Sequence, residues 1–258
     1  MKSLAKRGAN ICFNYVSESS RALSEELMSQ VRDEYHVDIA SVQADLAQED
    51  AAATIIGAAR THFSTDTSKP FQIDILVNNA GICPALLVPQ CTIAEFHKAY
   101  NVNVLAPLLM LQAALPLLPH DRSGRVINIS SISANVGTPG QSIYGGTKAA
   151  LDAMTRTWAR EIAEHATVLS IHAGAVLTDM IPAPFVAEHV GHVNRITPLS
   201  KPRKAIDTPE MLAAAKTIGG RVAYNHEISE AVAHFCLPEV GWITGHVIGV
   251  DGGYDFVR

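Results

Sequence analysis

Arg125-Val-Ile-Asn-Ile-Ser-Ser131, followed by Tyr144-Gly-Gly-Thr-Lys148, is the stretch that decides the fold of this chain. Residues 125–129 form an apolar run typical of a buried strand, and residues 144–165 have the spacing of an amphipathic helix. The same alternation of strand and helix continues along the rest of the chain. It indicates βαβ units and predicts an α/β fold with a Rossmann-like, doubly wound parallel sheet.

Further elements are predicted on both sides of this stretch. Strands are predicted at residues 10–15, 39–43, 73–77, 168–172 and 246–250, and helices at residues 17–35, 49–63, 92–118 (interrupted at Pro107) and 228–237. Residues 180–220 lose this rhythm and carry five prolines, which indicates a lid over a site. Since no internal repeat or linker is evident, we expect one domain over residues 1–258.

The composition excludes several classes of protein. Hydrophobic residues make up 48% and charged residues 17%, as in a soluble globular domain, and the net charge of −5 argues against a nucleic-acid or anionic membrane surface. No run approaches the ~18 apolar residues of a membrane span, and the charged N-terminus lacks the apolar part of a secretory signal. The four cysteines are scattered and the eleven histidines lack metal-ligand spacing. We therefore expect a cytoplasmic protein with free thiols and no metal site.

Tyr144 and Lys148 are the first candidates for chemistry. Four residues apart on a helix, they lie one turn apart on the same face. A phenol has a pKa of about 10, and a nearby ammonium lowers it toward the range of a general acid or base. Ser131 follows a strand at the carboxyl edge of the sheet, where it could hold a carbonyl oxygen. Alone, such a pair more often marks an exposed helix face, so the motif by itself is weak.

Other motifs occur with this pair in a fixed order. They are Asn78-Asn-Ala-Gly81 after a buried strand, Asn103 within Asn-Val-Asn-Val, and the ending Thr244-Gly-His-Val-Ile-Gly-Val-Asp-Gly-Gly253. Together with Ser131 and the Tyr144/Lys148 pair, they make the chain resemble the short-chain dehydrogenase/reductase family, compact type, from about Leu4 onward. The resemblance implies an NAD(P)(H)-dependent oxidoreductase that reduces carbonyls or oxidises alcohols.

The resemblance implies four catalytic residues. Tyr144 matches the acid/base of the family, and Lys148 the residue that lowers the pKa of that tyrosine and holds the nicotinamide ribose. Ser131 matches the hydroxyl that polarises the substrate. Asn103 matches the asparagine that anchors a water in the proton relay behind the lysine.

The resemblance also implies a nicotinamide cofactor. Asp45 and Leu46 resemble the pair that flanks the adenine, residues 79–81 the segment along the adenosine ribose, and Val176 and Thr178 the positions at the carboxamide. The full set is Tyr15, Ser17, Asp45, Leu46, Asn79, Ala80, Gly81, Tyr144, Lys148, Gly174, Val176 and Thr178.

The end of the strand at residues 10–15 bears on the choice of cofactor. A carboxylate there binds the ribose 2′-hydroxyl, whereas its absence leaves room for a phosphate. The tip Asn14-Tyr15-Val16-Ser17 offers hydroxyls and no carboxylate, although Glu18 follows directly. This resembles the NADP(H)-preferring, largely fungal reductases, so NADP(H) is favoured over NAD(H).

The chain departs from the family at its start. The family opens with a strand, a G-x-x-x-G-x-G loop and a helix, in a sheet of order 3-2-1-4-5-6-7. Here residues 1–6 resemble the last turns of that helix, so we expect the first strand and the phosphate-binding loop, roughly twenty residues, to be missing. Three or four lost hydrogen bonds to a pyrophosphate amount to about 5–10 kcal/mol, enough to abolish micromolar binding.

A second departure is Ile171-His172-Ala173-Gly174, where the family usually has proline before the glycine. Ala173 loosens the wall over the nicotinamide, and His172 adds a titratable ring. Either the variant is tolerated, with His172 in the core, or the site is reshaped and His172 contributes to proton transfer.

Three interpretations stay open. The first is an NADP(H)-dependent carbonyl reductase or ketoreductase. The second is an isomerase, dehydratase or cyclase that uses the same fold without any cofactor, and the third is a non-catalytic homologue. The lid residues Met180, Ile181, Phe185 and Val186 predict a small to medium apolar substrate, such as a secondary metabolite.

We expect a homodimer or homotetramer, and no nucleic-acid or membrane partner. The resemblance implies that the helices at residues 92–118 and 144–165 form a four-helix interface between subunits. Four apolar side chains of the second helix could serve that face or pack against the sheet: Leu151, Met154, Trp158 and Ile162.

Overall fold

Parallel strands in two groups form the centre of the computed structural model, which describes residues 1–64, 70–178 and 183–255, without the side chains of residues 183–189. The strands are β1 (Ile11–Tyr15), β2 (Ile39–Gln43), β3 (Ile75–Asn78), β4 (Gly124–Ser131), β5 (Ala166–Ala173) and β6 (His246–Val250). β1 pairs with β2, and β3, β4, β5 and β6 pair in that order. The predicted α/β fold and its parallel sheet are confirmed.

No described strand joins the two groups. Helices bridge the groups instead. Ala44 and Ile55, on the side of β1 and β2, cluster with Met110, which lies on a helix beside the four-stranded group. In the same way, the Ser3 hydroxyl near the N-terminus lies 2.9 Å from the Ser229 hydroxyl near the C-terminus.

The helices flank the strands on both sides. They are α1 (Lys2–Ala5), α2 (Arg21–Tyr35), α3 (Ala51–Phe63), α4 (Ile93–Tyr100), α5 (Ala106–Ala114), α6 (Ser133–Val136), α7 (Ser142–Glu161), α8 (Ala183–Ile196), α9 (Pro209–Thr217) and α10 (Asn225–Phe235). β4 and β5 are buried along almost their whole length, because helices cover both of their faces.

Alternate residues of β4 and β5 supply two separate cores. Val126 and Val168 pack with α5 and α7, whereas Ile127, Leu169 and Ile171 pack with α10. Of the α7 side chains considered for a subunit interface, Leu151, Trp158 and Ile162 are buried in the first of these cores and Met154 packs against it. All four therefore pack within the chain.

The helix predicted at residues 92–118 is present but differs in its interior. Thr92 caps α4 as predicted, accepting the Glu95 N–H at 3.1 Å. Pro107 does not kink the stretch, because it lies in the first turn of α5, where its missing N–H is not needed. Instead a π-helical segment, Asn101–Leu105, separates α4 from α5.

Residues 183–220 contain helices and no described strand, so they lack the strand–helix alternation of the rest of the chain. α8 and α9 lie there, and Pro209 starts α9 at a position where proline favours a helix. Two of the lid residues named above, Met180 and Ile181, lie outside the described residues, as do the side chains of Phe185 and Val186.

Candidate active site

The predicted catalytic side chains meet at the carboxyl edge of β4. Ser131 is the last residue of that strand, and Tyr144 and Lys148 lie one turn apart on α7, which packs against β4 and β5. Tyr144 is 9% exposed and Lys148 is 4% exposed. The alternative of an exposed helix face is therefore excluded for this pair.

Lys148 is fixed by the strand that carries Ser131. Its Nζ donates to the Ile129 carbonyl at 2.7 Å and lies 5.7 Å from the centre of the Tyr144 ring. The cation is thus within the range of a cation–π contact with the phenol ring. One strand and one helix together place the ammonium, the phenol and the serine hydroxyl at one edge.

Two glycines of the Tyr144–Lys148 motif allow this approach. A Cβ on Gly145 would lie 2.6 Å from the Ser133 carbonyl, and one on Gly146 would lie 3.0 Å from the Tyr100 hydroxyl. Glycine weakens a helix interior by about 1 kcal/mol, so two in the first turns of α7 indicate close packing. The two adjacent glycines are visible in the sequence, but the groups that they approach are visible only in the structure.

Asn103 enters the site from the π-helical segment. Its Oδ1 accepts the Ile82 N–H at 2.9 Å, and its Nδ2 donates to the Ile82 carbonyl at 2.8 Å and to Thr147 Oγ1 at 3.0 Å. π-helical turns inside α-helices occur frequently at functional sites. Here the turn connects the loop after β3 with α7, one residue from Lys148.

Burial sets the protonation of the pair. It raises the pKa of Tyr144 to about 12, an effect that the Cys83 thiol adds to and the neighbouring Ser131 hydroxyl partly offsets. Burial also lowers the pKa of Lys148 to about 8. Burial is the largest effect on Tyr144 in this structure, and the lowering of its pKa by Lys148 stays a prediction. At neutral pH the site holds a neutral phenol beside an ammonium.

His172 does not reach this site. It is fully buried on β5, and its Nε2 lies 2.6 Å from Asp152 Oδ2 on α7. The predicted reshaped site with His172 beside the substrate is wrong, and the alternative of a core histidine holds. Asp152 itself was missed in the sequence, because nothing marks a helical aspartate as buried.

The residues implied for a cofactor fall into two groups. At the four-stranded group, residues 79–81 cross over Lys148, since a Cβ on Gly81 would lie 3.4 Å from Nζ and 3.3 Å from Asn103 Oδ1. Gly174 follows β5 and lies close to Asp251. A Cβ added to Gly174 would lie 2.8 Å from the Cα of Asp251. Val176 bridges to Ala223, and Thr178 is exposed.

The second group lies at the ends of β1 and β2. Tyr15 ends β1, Ser17 precedes a short 3-10 turn, and Asp45 and Leu46 follow β2. The carboxylate of Asp45 accepts the Ala47 N–H at 3.0 Å, so it fixes the turn there. No G-x-x-x-G-x-G loop occurs in the 258 residues.

The residues at the carboxyl edge fit a nicotinamide nucleoside. The crowding around Gly81 shows that backbone, not side chain, faces the Lys148 ammonium there, which leaves room for a ribose to approach. The same edge carries the neutral phenol of Tyr144 and the hydroxyl of Ser131. This set of donors can bind a carbonyl oxygen and deliver a proton to it.

The chain is similar to several known proteins. Residues 1–185 match the short chain dehydrogenase family. The chain is 40% identical to the L-xylo-3-hexulose reductase of Hypocrea jecorina, over 98% of this chain and 90% of that protein. It is 41% identical to the L-xylulose reductase of Aspergillus niger, over 98% and 91%. A blue fluorescent protein from a metagenomic library, solved in complex with NADPH, matches with a TM-score of 0.81 and 30% identity, over 98% and 90% of the two chains.

Proposed function

The chain belongs to the short-chain dehydrogenase family and is an NAD(P)(H)-dependent oxidoreductase of carbonyl and alcohol groups, and on that premise we propose that it reduces a polyhydroxylated ketone with NADP(H). The observation that carries the proposal is the neutral Tyr144 phenol, buried beside Ser131 and Lys148. Redox chemistry replaces the cofactor-free and non-catalytic interpretations.

In the proposed mechanism the chain handles the proton. Bound nicotinamide supplies a hydride to the carbonyl carbon. Ser131 donates a hydrogen bond to the carbonyl oxygen, and Tyr144 protonates that oxygen as negative charge develops on it. Lys148, held by the Ile129 carbonyl, stabilises the phenolate that Tyr144 then becomes. Asn103 fixes the position of α7 relative to the loop that follows β3, through its hydrogen bonds to Thr147 and Ile82.

The proposed cofactor residues are those of the two groups described above. Tyr144, Lys148 and residues 79–81 would hold the nicotinamide ribose side, and Gly174, Val176 and Thr178 the nicotinamide. Tyr15, Ser17, Asp45 and Leu46 would hold the adenosine side.

Gln141 supports a hydroxylated substrate. It stands three residues before Tyr144, and its Oε1 is buried with no hydrogen-bond partner among the described residues. Its Nε2 makes only a 3.8 Å contact to Cys83 Sγ. A buried amide oxygen left without a donor costs about 1–3 kcal/mol, and a substrate hydroxyl beside the reacting carbonyl would satisfy it.

The names of the relatives support the same class. The two fungal proteins are named as reductases of L-xylulose and L-xylo-3-hexulose, which are polyhydroxylated ketones. This proposal replaces the apolar substrate expected from the sequence, which rested on lid side chains outside the described residues.

The tip of β1 supports NADP(H) over NAD(H). Ser17 Oγ lies 2.7 Å from Ser19 Oγ and 3.1 Å from Ser20 Oγ. Arg21 follows these hydroxyls and donates to both carboxylate oxygens of Glu18, at 2.5 and 2.9 Å. A ribose phosphate would gain the arginine and the serines, since the pair with Glu18 is exposed and therefore easily exchanged.

An apolar face on α4 supports a homodimer or homotetramer. The stretch Ile93–Leu117 is long and apolar enough, by composition, to cross a membrane. It is divided by the π-helical segment and carries the buried polar side chain of Asn103, as a helix of a globular domain does. Ile93, Phe96 and Leu105 are exposed on it. A second copy covering this face would remove that apolar surface from water.

We propose that residues 1–258 form one domain with a lid at residues 180–220. Contacts to the C-terminal turn support the lid, since the Leu199 N–H donates to the Gly252 carbonyl at 3.1 Å. A Cβ on Gly252 would also lie 3.0 Å from Thr197.

The test is NADPH oxidation by the purified chain, followed by absorbance, with L-xylulose and with an apolar cyclic ketone. We expect turnover of the ketose, and none with the Tyr144→Phe variant. Turnover of the apolar ketone alone would overturn the substrate class. No oxidation and no NADPH binding would overturn the reductase itself.

A further inference from the structure

A buried cluster of Asp152, Ser170 and His172 lies directly behind the catalytic row, the name used here for Tyr144 and Lys148 on α7. Asp152 is on the same face of α7 as Tyr144 and Lys148, one turn beyond the lysine. Its Oδ1 accepts the Ser170 hydroxyl at 2.6 Å, and its Oδ2 lies 2.6 Å from His172 Nε2. Asp152 is 5% exposed, and both partners on β5 are fully buried.

The hydrogen bonds define the charge of this cluster. His172 Nδ1 is buried and has no hydrogen-bond partner among the described residues. A second proton there would leave an unpaired N–H in the interior, which is unfavourable. The geometry therefore favours an imidazole that donates from Nε2. With the Ser170 hydroxyl, it gives Asp152 two hydrogen bonds of the kind that stabilise a carboxylate.

Lys148 lies one turn before Asp152 on the same face of α7, so the carboxylate acts on the lysine through the interior, without a direct ion pair. The ionisable groups that face this region are Tyr144 and Lys148 on α7, Cys83 in the loop after β3, and His172 on β5. Asn103 of the π-helical segment and Asn128 and Ser130 of β4 are neutral groups on the facing elements. Burial raises the pKa of Tyr144 and of Cys83, so both are neutral at pH 7, and Lys148 is the cation on which the charge of Asp152 acts.

We propose that Asp152, fixed by His172 and Ser170, is a positioning residue that keeps the Lys148 ammonium charged behind Tyr144. The negative charge of Asp152 raises the pKa of Lys148 and so opposes the larger effect of burial, which lowers it to about 8. The inference rests on the role proposed above for Lys148. Without Asp152, Lys148 would lose its proton closer to neutral pH, and the phenolate of Tyr144 would lose its counter-charge.

The test is the variant Asp152→Asn, which keeps the shape and removes the charge. We expect the alkaline limb of the pH profile of kcat/KM to move down by about one pH unit or more, as for the loss of an adjacent opposite charge. The second readout needs no turnover. Competitive acylation of Lys148, followed by mass spectrometry across pH on the protein alone, should show its titration midpoint shifted by the same amount.

Two further variants guard against misfolding of Asp152→Asn. Ser170→Ala and His172→Gln each alter one hydrogen bond to the carboxylate, and each should move the Lys148 midpoint down by less. An unchanged midpoint in a folded Asp152→Asn protein, or in both other variants if that protein does not fold, would overturn the proposal. Because acylation is read without substrate, failure of ketose reduction would leave this result standing.

Discussion

Asn103 holds the backbone of Ile82 by both atoms of its amide, with Oδ1 accepting the N–H at 2.9 Å and Nδ2 donating to the carbonyl at 2.8 Å. The same Nδ2 reaches Thr147 Oγ1 on α7. One buried side chain of the π-helical segment thus connects the loop after β3 with the helix of the catalytic row.

The variant Asn103→Ala should lose both stability and activity. It removes three hydrogen bonds, two of them to the partly buried backbone of Ile82, so we expect the free energy of unfolding to fall by about 2–4 kcal/mol. Urea denaturation measures this change. The matched control is Asn101→Ala, an exposed asparagine of the same π-helical segment. Equal urea midpoints for the two variants would contradict a structural role of the Asn103 contacts.

The variant Lys148→Met should be inactive yet more stable at neutral pH. The pKa of Lys148 is lowered from 10.5 to about 8, so between those values the unfolded chain binds more protons than the folded one. Stability therefore rises with pH in that window, and below it the buried ammonium is a constant cost. Its removal should raise the free energy of unfolding at pH 7 by about 1–3 kcal/mol.

The gain from Lys148→Met should shrink as the pH rises from 8 toward 10.5, because wild-type Lys148 is then neutral as well. Thermal or urea denaturation at several pH values measures this trend. The exposed Lys98→Met variant is the control and should show no such dependence. A loss of stability at pH 7 that persists at high pH would contradict the desolvation argument.

The sequence predicted the strands well because each is a short apolar run between turn residues. Residues 39–43 and 246–250 have the predicted bounds, and α7 begins two residues before the predicted start. The meeting of Ser131 with Tyr144 could also be expected, since parallel strands end at one edge of a sheet.

The remaining features depend on tertiary packing. The π-helical segment has no sequence pattern of its own, and its role is visible only where Asn103 meets Ile82 and Thr147. The raised pKa of Tyr144 could not be predicted, because it follows from burial, which depends on the whole fold. Asp152 likewise looks like a surface residue until β5 places Ser170 and His172 against it.

The variant Gln141→Leu should separate hydroxylated from plain ketones. Its buried Oε1 has no described partner, so we expect it to accept a substrate hydroxyl, a contact worth about tenfold in kcat/KM. The value for L-xylulose should fall by that factor, whereas the value for a ketone without hydroxyls should not fall. Gln30→Leu, on the exposed surface of α2, is the control. Equal losses for both substrates would contradict recognition of a hydroxyl.

The variants Arg21→Ala and Glu18→Gln should change the cofactor preference in opposite directions. Loss of Arg21 should weaken NADPH binding by about tenfold, as for one charge-assisted hydrogen bond, and leave NADH binding unchanged. Loss of the Glu18 charge frees Arg21 and should tighten NADPH binding. Calorimetric titration of each cofactor measures both effects. Parallel changes for NADPH and NADH would contradict a phosphate contact at this tip.

The variant Ile93→Asp should break the homo-oligomer without harming the fold. Ile93 is 78% exposed at the start of α4, where an acidic residue favours the helix, so only a covered apolar face would be disrupted. Light scattering at micromolar concentration should show a dimer or tetramer for the wild type and a monomer for this variant. Leu23→Asp is the matched control, 69% exposed in the first turn of α2, and should leave the assembly intact. A monomeric wild type would contradict the assembly, and an unchanged oligomer in Ile93→Asp would exclude α4 from the interface.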